Sequence, residues 1–131
     1  MAITYLDILD FSKNCMKTES EVGCRNAISR SYYAAYHCIY PSMAYGPQDS
    51  HQGLIDYLAR SDTSAREQYD KKDLLALHYA LKNMKGMRVV ADYSLNSGGM
   101  TMINAKANIA TSEKAINKML EMKSLKKSSK C

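Results

Sequence analysis

Apolar residues recur at helical spacing along almost the whole chain. Between Thr4 and about Lys17, Leu6, Leu9 and Met16 share one stripe, with Ile8, Phe11 and Cys15 beside it. That recurrence every three to four residues predicts an amphipathic helix. Thr4, with Asp7 three positions on, has the form of a capping box at its start. Ser20 opens a second helix, with Glu21 near its positive end, that runs to about Tyr40. Pro41, Gly46 and Pro47 then break the chain. Ala27, Ala34 and Ala35 allow close helix contact, while Tyr32, Tyr33, Tyr36 and Tyr40 make the helix aromatic on more than one side. A helix of that kind belongs at the centre of a bundle or against a second chain. Asp49 or Ser50 caps a shorter third helix carrying Leu54, Ile55 and Leu58, and Ser61 to Ser64 reads as a loop. A fourth helix begins between Ala65 and Asp73 and runs through Leu74, Leu77, Leu81 and Met84. It continues past Gly86 towards Leu95 or is kinked or divided there. Asn96-Ser-Gly-Gly99 is the clearest turn signal in the chain. A last helix follows to about Met122, with Met102, Ile109, Ile116, Met119 and Leu120. No stretch alternates long enough for a strand. The expected fold is all-α, an up-and-down bundle of four to five helices. Residues 1–122 form one domain, and residues 123–131 form a basic, flexible tail.

Composition changes this picture in three ways. Trp is absent and Phe occurs once, so ten Tyr and nine Met must supply the bulk of the core and of any interface. The formal charge is +5, and Lys123, Lys126, Lys127 and Lys130 carry much of the excess. A basic balance suits a nucleic-acid partner, and a solvated lysine tail would look the same. The body shows no dense arginine stripe. Cys15, Cys24, Cys38 and Cys131 form no Cys-x-x-Cys pair, which reads as reduced thiols in a cytosolic protein. Acids come early, with no basic region before an apolar run, and no apolar stretch approaches the ~20 residues of a spanning helix. The expectation is a soluble, cytoplasmic protein with no membrane partner.

Three stretches together resemble the HEPN family (higher eukaryotes and prokaryotes nucleotide-binding). They are Arg25-Asn-Ala-Ile-Ser-Arg30-Ser-Tyr-Tyr-Ala-Ala-Tyr-His37, Ser50-His51-Gln-Gly-Leu-Ile-Asp-Tyr-Leu58 and Arg88-Val-Val-Ala-Asp-Tyr93. The resemblance implies a helical bundle that often pairs into homodimers. It implies a toxin–antitoxin, phage-defence or nucleotidyltransferase-partner setting, with an antitoxin or nucleotidyltransferase as protein partner and RNA as substrate. It also implies metal-independent endoribonuclease chemistry, using an arginine and a histidine with four to six residues between them in a cleft shared by two protomers. Here the Arg…His pair of that spacing is Arg30…His37, on the second helix. The later position of the family's pair holds Arg88…Tyr93, with Asp92 and no histidine. That substitution favours the alternative, a non-catalytic module that partners another protein or binds a nucleotide.

RNA cleavage of this kind needs a base for the 2′-hydroxyl, a cation for the phosphorane and an acid for the leaving oxygen. Histidine titrates near neutrality, and the arginine fork grips phosphate at two points. Residues seven apart on a helix lie about 20° from one face and ~10.5 Å apart along the axis. Arg30 as phosphate clamp, His37 as acid/base and Tyr33 as support therefore form one candidate catalytic set. Arg25, Arg88, Asp92, Tyr93 and His51 are candidates for holding the nucleic acid or nucleotide. Each residue also has a structural reading. His37 could bond a carbonyl or a tyrosine hydroxyl, and Arg30 could pair with Asp92 or Glu21. Arg88 could pair with Asp92, and the tyrosines could be core and dimer interface. His78, among leucines, reads as packing. Zinc on Cys24, His37, Cys38 and His51 is disfavoured, because adjacent His37 and Cys38 point about 100° apart on a helix. No phosphate loop, nucleophile elbow or paired-acid motif is present. No metal and no cofactor are expected.

Overall fold

A computed structural model describes residues 3–95 and 101–128, with side chains to residue 126. It is an all-α bundle: α1 (Tyr5–Met16), α2 (Glu21–Ile39), a 3₁₀ turn (Tyr40–Ser42), α3 (His51–Leu58), α4 (Thr63–Glu67), α5 (Lys71–Tyr93) and α6 (Met102–Ser128). Among the described residues there is no strand, and no helix is long and apolar enough to cross a membrane.

Local side chains set the helix starts. Thr4 and Asp7 close a reciprocal capping box on α1. Ser20 accepts from the Gly23 N–H at 3.0 Å, Ser50 from the Gly53 N–H at 2.9 Å and Asp70 from the Lys72 N–H at 2.8 Å. Helix α5 passes unbroken through Gly86, which faces open space. The turn expected at Asn96 to Gly99 lies outside the described residues.

Helix α2 is the hub and packs against α1, α5 and α6. Ala27, Ala34 and Ala35 are fully buried and let those helices approach. Polar groups join the layers as well as apolar ones. The Ser12 hydroxyl donates to the Ala27 carbonyl at 2.6 Å, and Ser112 donates to the Ser31 carbonyl at 2.7 Å. Asn108 donates to the Ile28 carbonyl at 3.3 Å. Leu54, Leu58, Leu74, Leu77, Leu81, Met84 and Met119 fill the remaining core.

Three expectations are corrected. Leu6 and Phe11 point outward, 51% and 56% exposed, while Ser12 takes the contact with α2. The Ser61–Ser64 loop is in part the short helix α4. Its inward residues, Thr63 and Glu67, are polar, so hydrophobic periodicity does not register it. The last helix continues through Ser128, so residues 123–128 are helical rather than a flexible tail. Buried Met122 and the Lys126 ammonium, 4.6 Å from the Tyr69 ring centroid, hold that end against the body.

Candidate functional site

The centre of α2, the start of α3 and the last turns of α5 converge on one aromatic and cationic face. Tyr32 and Tyr33 lie at its middle, with ring centroids 5.5 Å apart, edge to face. The Arg88 guanidinium, from α5, sits 5.6 Å from the centroids of both. His51, the first residue of α3, lies 5.5 Å from Tyr32 and 5.6 Å from Tyr33, and stacks on Tyr36 at 3.9 Å. Arg88 and His51, which are far apart in sequence, thus share the same two tyrosines.

Hydrogen bonds fix these groups. The Tyr32 hydroxyl and His51 Nδ1 are 2.8 Å apart. Burial pushes the Tyr32 phenol far above its ordinary value, so it stays protonated beside the imidazole. Arg88 pairs with Asp92 at 3.5 Å, one turn on, and Asp92 accepts from the Ser29 hydroxyl of α2 at 3.2 Å. Arg88 Nε is buried without a hydrogen-bond partner. Tyr93, 73% exposed, has its ring centroid 6.0 Å from the same guanidinium.

On the other side of Tyr33, Arg30 lies over the ring at 4.6 Å and donates to the Ser29 hydroxyl at 3.3 Å. His37 is exposed and stacks on Tyr33 at 6.4 Å, with Tyr36 and Tyr40 at its edges. Arg30, Tyr33 and His37 line one cavity of about 560 Å³ between α1 and α2. Ile3, Asp7, Ile8 and Phe11 form its other wall. His37 also borders a second cavity of about 470 Å³, with Tyr40, Cys38 and Lys123.

Both imidazoles titrate below the ordinary 6.5. Burial lowers His37. Burial first, then the cations Arg88 and Lys85, and last the neighbouring His37 imidazole, which disfavours a second proton nearby, lower His51. Both are therefore neutral at pH 7 and in the form that accepts a proton.

Of the residues singled out from sequence, Arg30, Tyr33, His37, His51, Arg88, Asp92 and Tyr93 meet on this face. Arg25 does not. It is 7% exposed, and its guanidinium donates to the carbonyls of Val90 (3.2 Å), Ala91 (2.9 Å) and Leu95 (3.5 Å), closing the C-terminal end of α5. That end carries Arg88 and Asp92, so Arg25 supports the face from behind. His78 packs as expected, its Nδ1 2.6 Å from the Ile55 carbonyl. Tyr32, Ser29, Asp7 and Phe11 were not legible as site residues. Tyr32 meets His51 only because the loop between α2 and α3 folds back, and Asp7 and Phe11 read as helix-forming residues.

Cys15, Cys24 and Cys38 are free thiols whose pKa values burial raises, Cys38 to about 11. Among the described residues, no three His, Cys, Asp or Glu side chains are grouped to hold a metal ion. No family model, curated protein or solved structure matches this chain.

Proposed function

We propose that this protein is a cytoplasmic, metal-independent endoribonuclease of the HEPN type, acting in a toxin–antitoxin or phage-defence module. One observation carries the reading: Arg88, with its unpartnered Nε, and the two histidines, His37 and His51, all border Tyr33.

On this reading His37 takes the proton of a 2′-hydroxyl. The 2′-oxygen attacks phosphorus, and the bond from phosphorus to the 5′-oxygen breaks. That oxygen takes a proton from His51, leaving a 2′,3′-cyclic phosphate and a 5′-hydroxyl. His51 is suited to the second step because Tyr32 engages Nδ1 and leaves Nε2 towards the substrate. A bound phosphate brings negative charge beside it, opposes the effect of Arg88 and raises its pKa, so imidazolium forms in the complex. Arg88 takes the role of charge holder that the sequence suggested for Arg30, because Arg88 is the arginine beside His51. Tyr93 offers an exposed ring on which a base can stack. The resemblance adds a homodimer, tested by sedimentation.

The experiment is cleavage of a labelled tRNA or total-RNA pool by purified protein in EDTA, with His37→Ala, His51→Ala and Arg88→Gln alongside. Wild type should cut and leave cyclic phosphate ends, and each variant should lose most of the rate, about 10²-fold or more. Equal activity in wild type and variants refutes the assignment. A second reading, a binding module that partners a nucleotidyltransferase or another defence protein, is favoured by Tyr93 standing in the cleft where a histidine would serve. It predicts no cutting, and RNA or nucleotide binding that Arg88→Gln weakens.

A further inference from the structure

The cavity between α1 and α2 carries two opposite charges that do not meet. Asp7 and Arg30 both line it, yet among the described residues they form no ion pair with each other. Asp7 Oδ2 accepts from the Thr4 N–H at 2.8 Å and lies 3.3 Å from the Thr4 hydroxyl, while Oδ1 has no partner among the described residues. Arg30 gives one nitrogen to Ser29, and its remaining N–H groups have no hydrogen-bond partner there. Between the two charges the lining is apolar and aromatic: Ile3, Ile8, Phe11 and Tyr33. Phe11, 56% exposed, and Ile3, 74% exposed, leave the mouth open.

A flat ligand with donors on one edge and acceptors on the other would satisfy both charges at once. Guanine is such a ligand. Its N1–H and N2–H groups sit side by side and suit a carboxylate, and its O6 and N7 suit an arginine fork. One of its faces would lie against Phe11, beside the Arg30 guanidinium that covers the Tyr33 ring. The other bases fit less well. Adenine places the N1 acceptor beside its amine, cytosine does the same with N3, and uracil flanks its single imino proton with two carbonyls. The volume, about 560 Å³, is in the range of ordinary small-ligand sites.

We propose that the α1–α2 cavity is a guanine subsite, with Asp7 reading the Watson–Crick edge and Arg30 the O6/N7 edge. Because His37 lines the same cavity, the bound guanine belongs to the nucleotide next to the phosphate under attack. The inference rests on the reading that this face takes RNA, and it adds base specificity to it. It also gives α1 a part in recognition, through residues whose sequence context shows only a helix start.

The test is titration of the full chain with GMP, IMP, AMP, CMP and UMP, followed by calorimetry, together with cleavage of RNA oligonucleotides containing a single guanosine. GMP should bind about tenfold or more tighter than UMP. IMP, which lacks the N2 amine, should fall between them. Asp7→Asn keeps an acceptor for the Thr4 N–H, so the helix cap survives, but it places an amide donor against the guanine donors. It should erase the preference for GMP over IMP and UMP. Phe11→Ala, at an exposed position, should weaken GMP binding with the fold intact by circular dichroism. GMP binding no tighter than UMP, or a preference that survives Asp7→Asn, overturns the proposal. Selective, Asp7-dependent GMP binding without RNA cleavage sustains the subsite and removes the nuclease. Cleavage without base preference, with unselective mononucleotide binding, does the reverse.

Discussion

Glu67 is the buried charge on which the approach to the site depends. It is 1% exposed, on α4, and its carboxylate accepts three hydrogen bonds: Ala44 N–H at 2.7 Å, Tyr45 N–H at 2.9 Å and the Tyr57 hydroxyl at 2.5 Å. Two of the donors belong to the loop that carries the chain from α2 to His51. Glu67→Gln keeps the volume and removes the charge. An amide has one acceptor oxygen and one donor nitrogen. Whichever way it is turned, its NH₂ group faces one of the two backbone N–H groups, and that donor is left unpaired. The unpaired group costs about 1–3 kcal/mol, and loss of charge assistance in the remaining bonds costs about 1 kcal/mol more. The total, about 2–4 kcal/mol, is a large share of the ~5–15 kcal/mol stability of an ordinary domain. It lowers the melting temperature by roughly 10 °C. Tyr57→Phe removes only the phenol and costs about 1 kcal/mol. Urea unfolding followed by far-UV circular dichroism separates the two. A Glu67→Gln protein within about 0.5 kcal/mol of wild type, or no less stable than Tyr57→Phe, would refute the argument.

Four further substitutions test other parts of the fold. His37 and His51 have folded-state pKa values below their unfolded 6.5, so the unfolded chain takes up protons first as pH falls. Their contribution to stability is complete above that value and is lost as pH drops through it, and His51→Gln should flatten the fall in urea midpoint between about pH 7.5 and about pH 5.5. Gly86→Ala adds a methyl group into open space within a helix and should stabilise by about 0.5–1 kcal/mol. By contrast, a Cβ at Gly23 would stand 2.0 Å from Thr18 Oγ1 and 2.4 Å from the Cys15 carbonyl, so Gly23→Ala should destabilise by about 1–3 kcal/mol in the same assay. Arg25→Ala removes the guanidinium donor from the carbonyls of Val90, Ala91 and Leu95, of which Val90 still accepts from the Ser94 N–H. It should cost about 2–4 kcal/mol in urea unfolding.

The helix starts were legible because each rests on chemistry local to a few residues: Thr4 with Asp7, Ser20 and Ser50. What periodicity could not show is polar burial. Ser12, Thr63, Glu67 and Ser112 occupy inward positions through hydrogen bonds to distant carbonyls, amides and hydroxyls. A pattern of apolar residues leaves such positions blank. The site divides in the same way. Arg30, Tyr33 and His37 follow from spacing on one helix. The meeting of His51 with Tyr32, and of Arg88 with both, depends on the loop and on α5, and no local signal encodes either. Arg25 shows the opposite failure: it looks like an available cation in sequence, and the fold consumes it.

Helix α2 also has a consequence for how the chain is made. Its Ile28 and Ser31 carbonyls find their partners on Asn108 and Ser112, 80 and 81 positions later. At ~5–20 residues per second, synthesis leaves those carbonyls with only their local partners in α2, the Ser31 hydroxyl on Ile28 among them, for roughly 4–16 s. During that time the central helix is covered on the α1 side and bare on the α6 side. Completion of the bundle therefore waits on the last helix, and a chain stopped before Met102 retains every residue of the tyrosine–histidine–arginine face but lacks the support behind it.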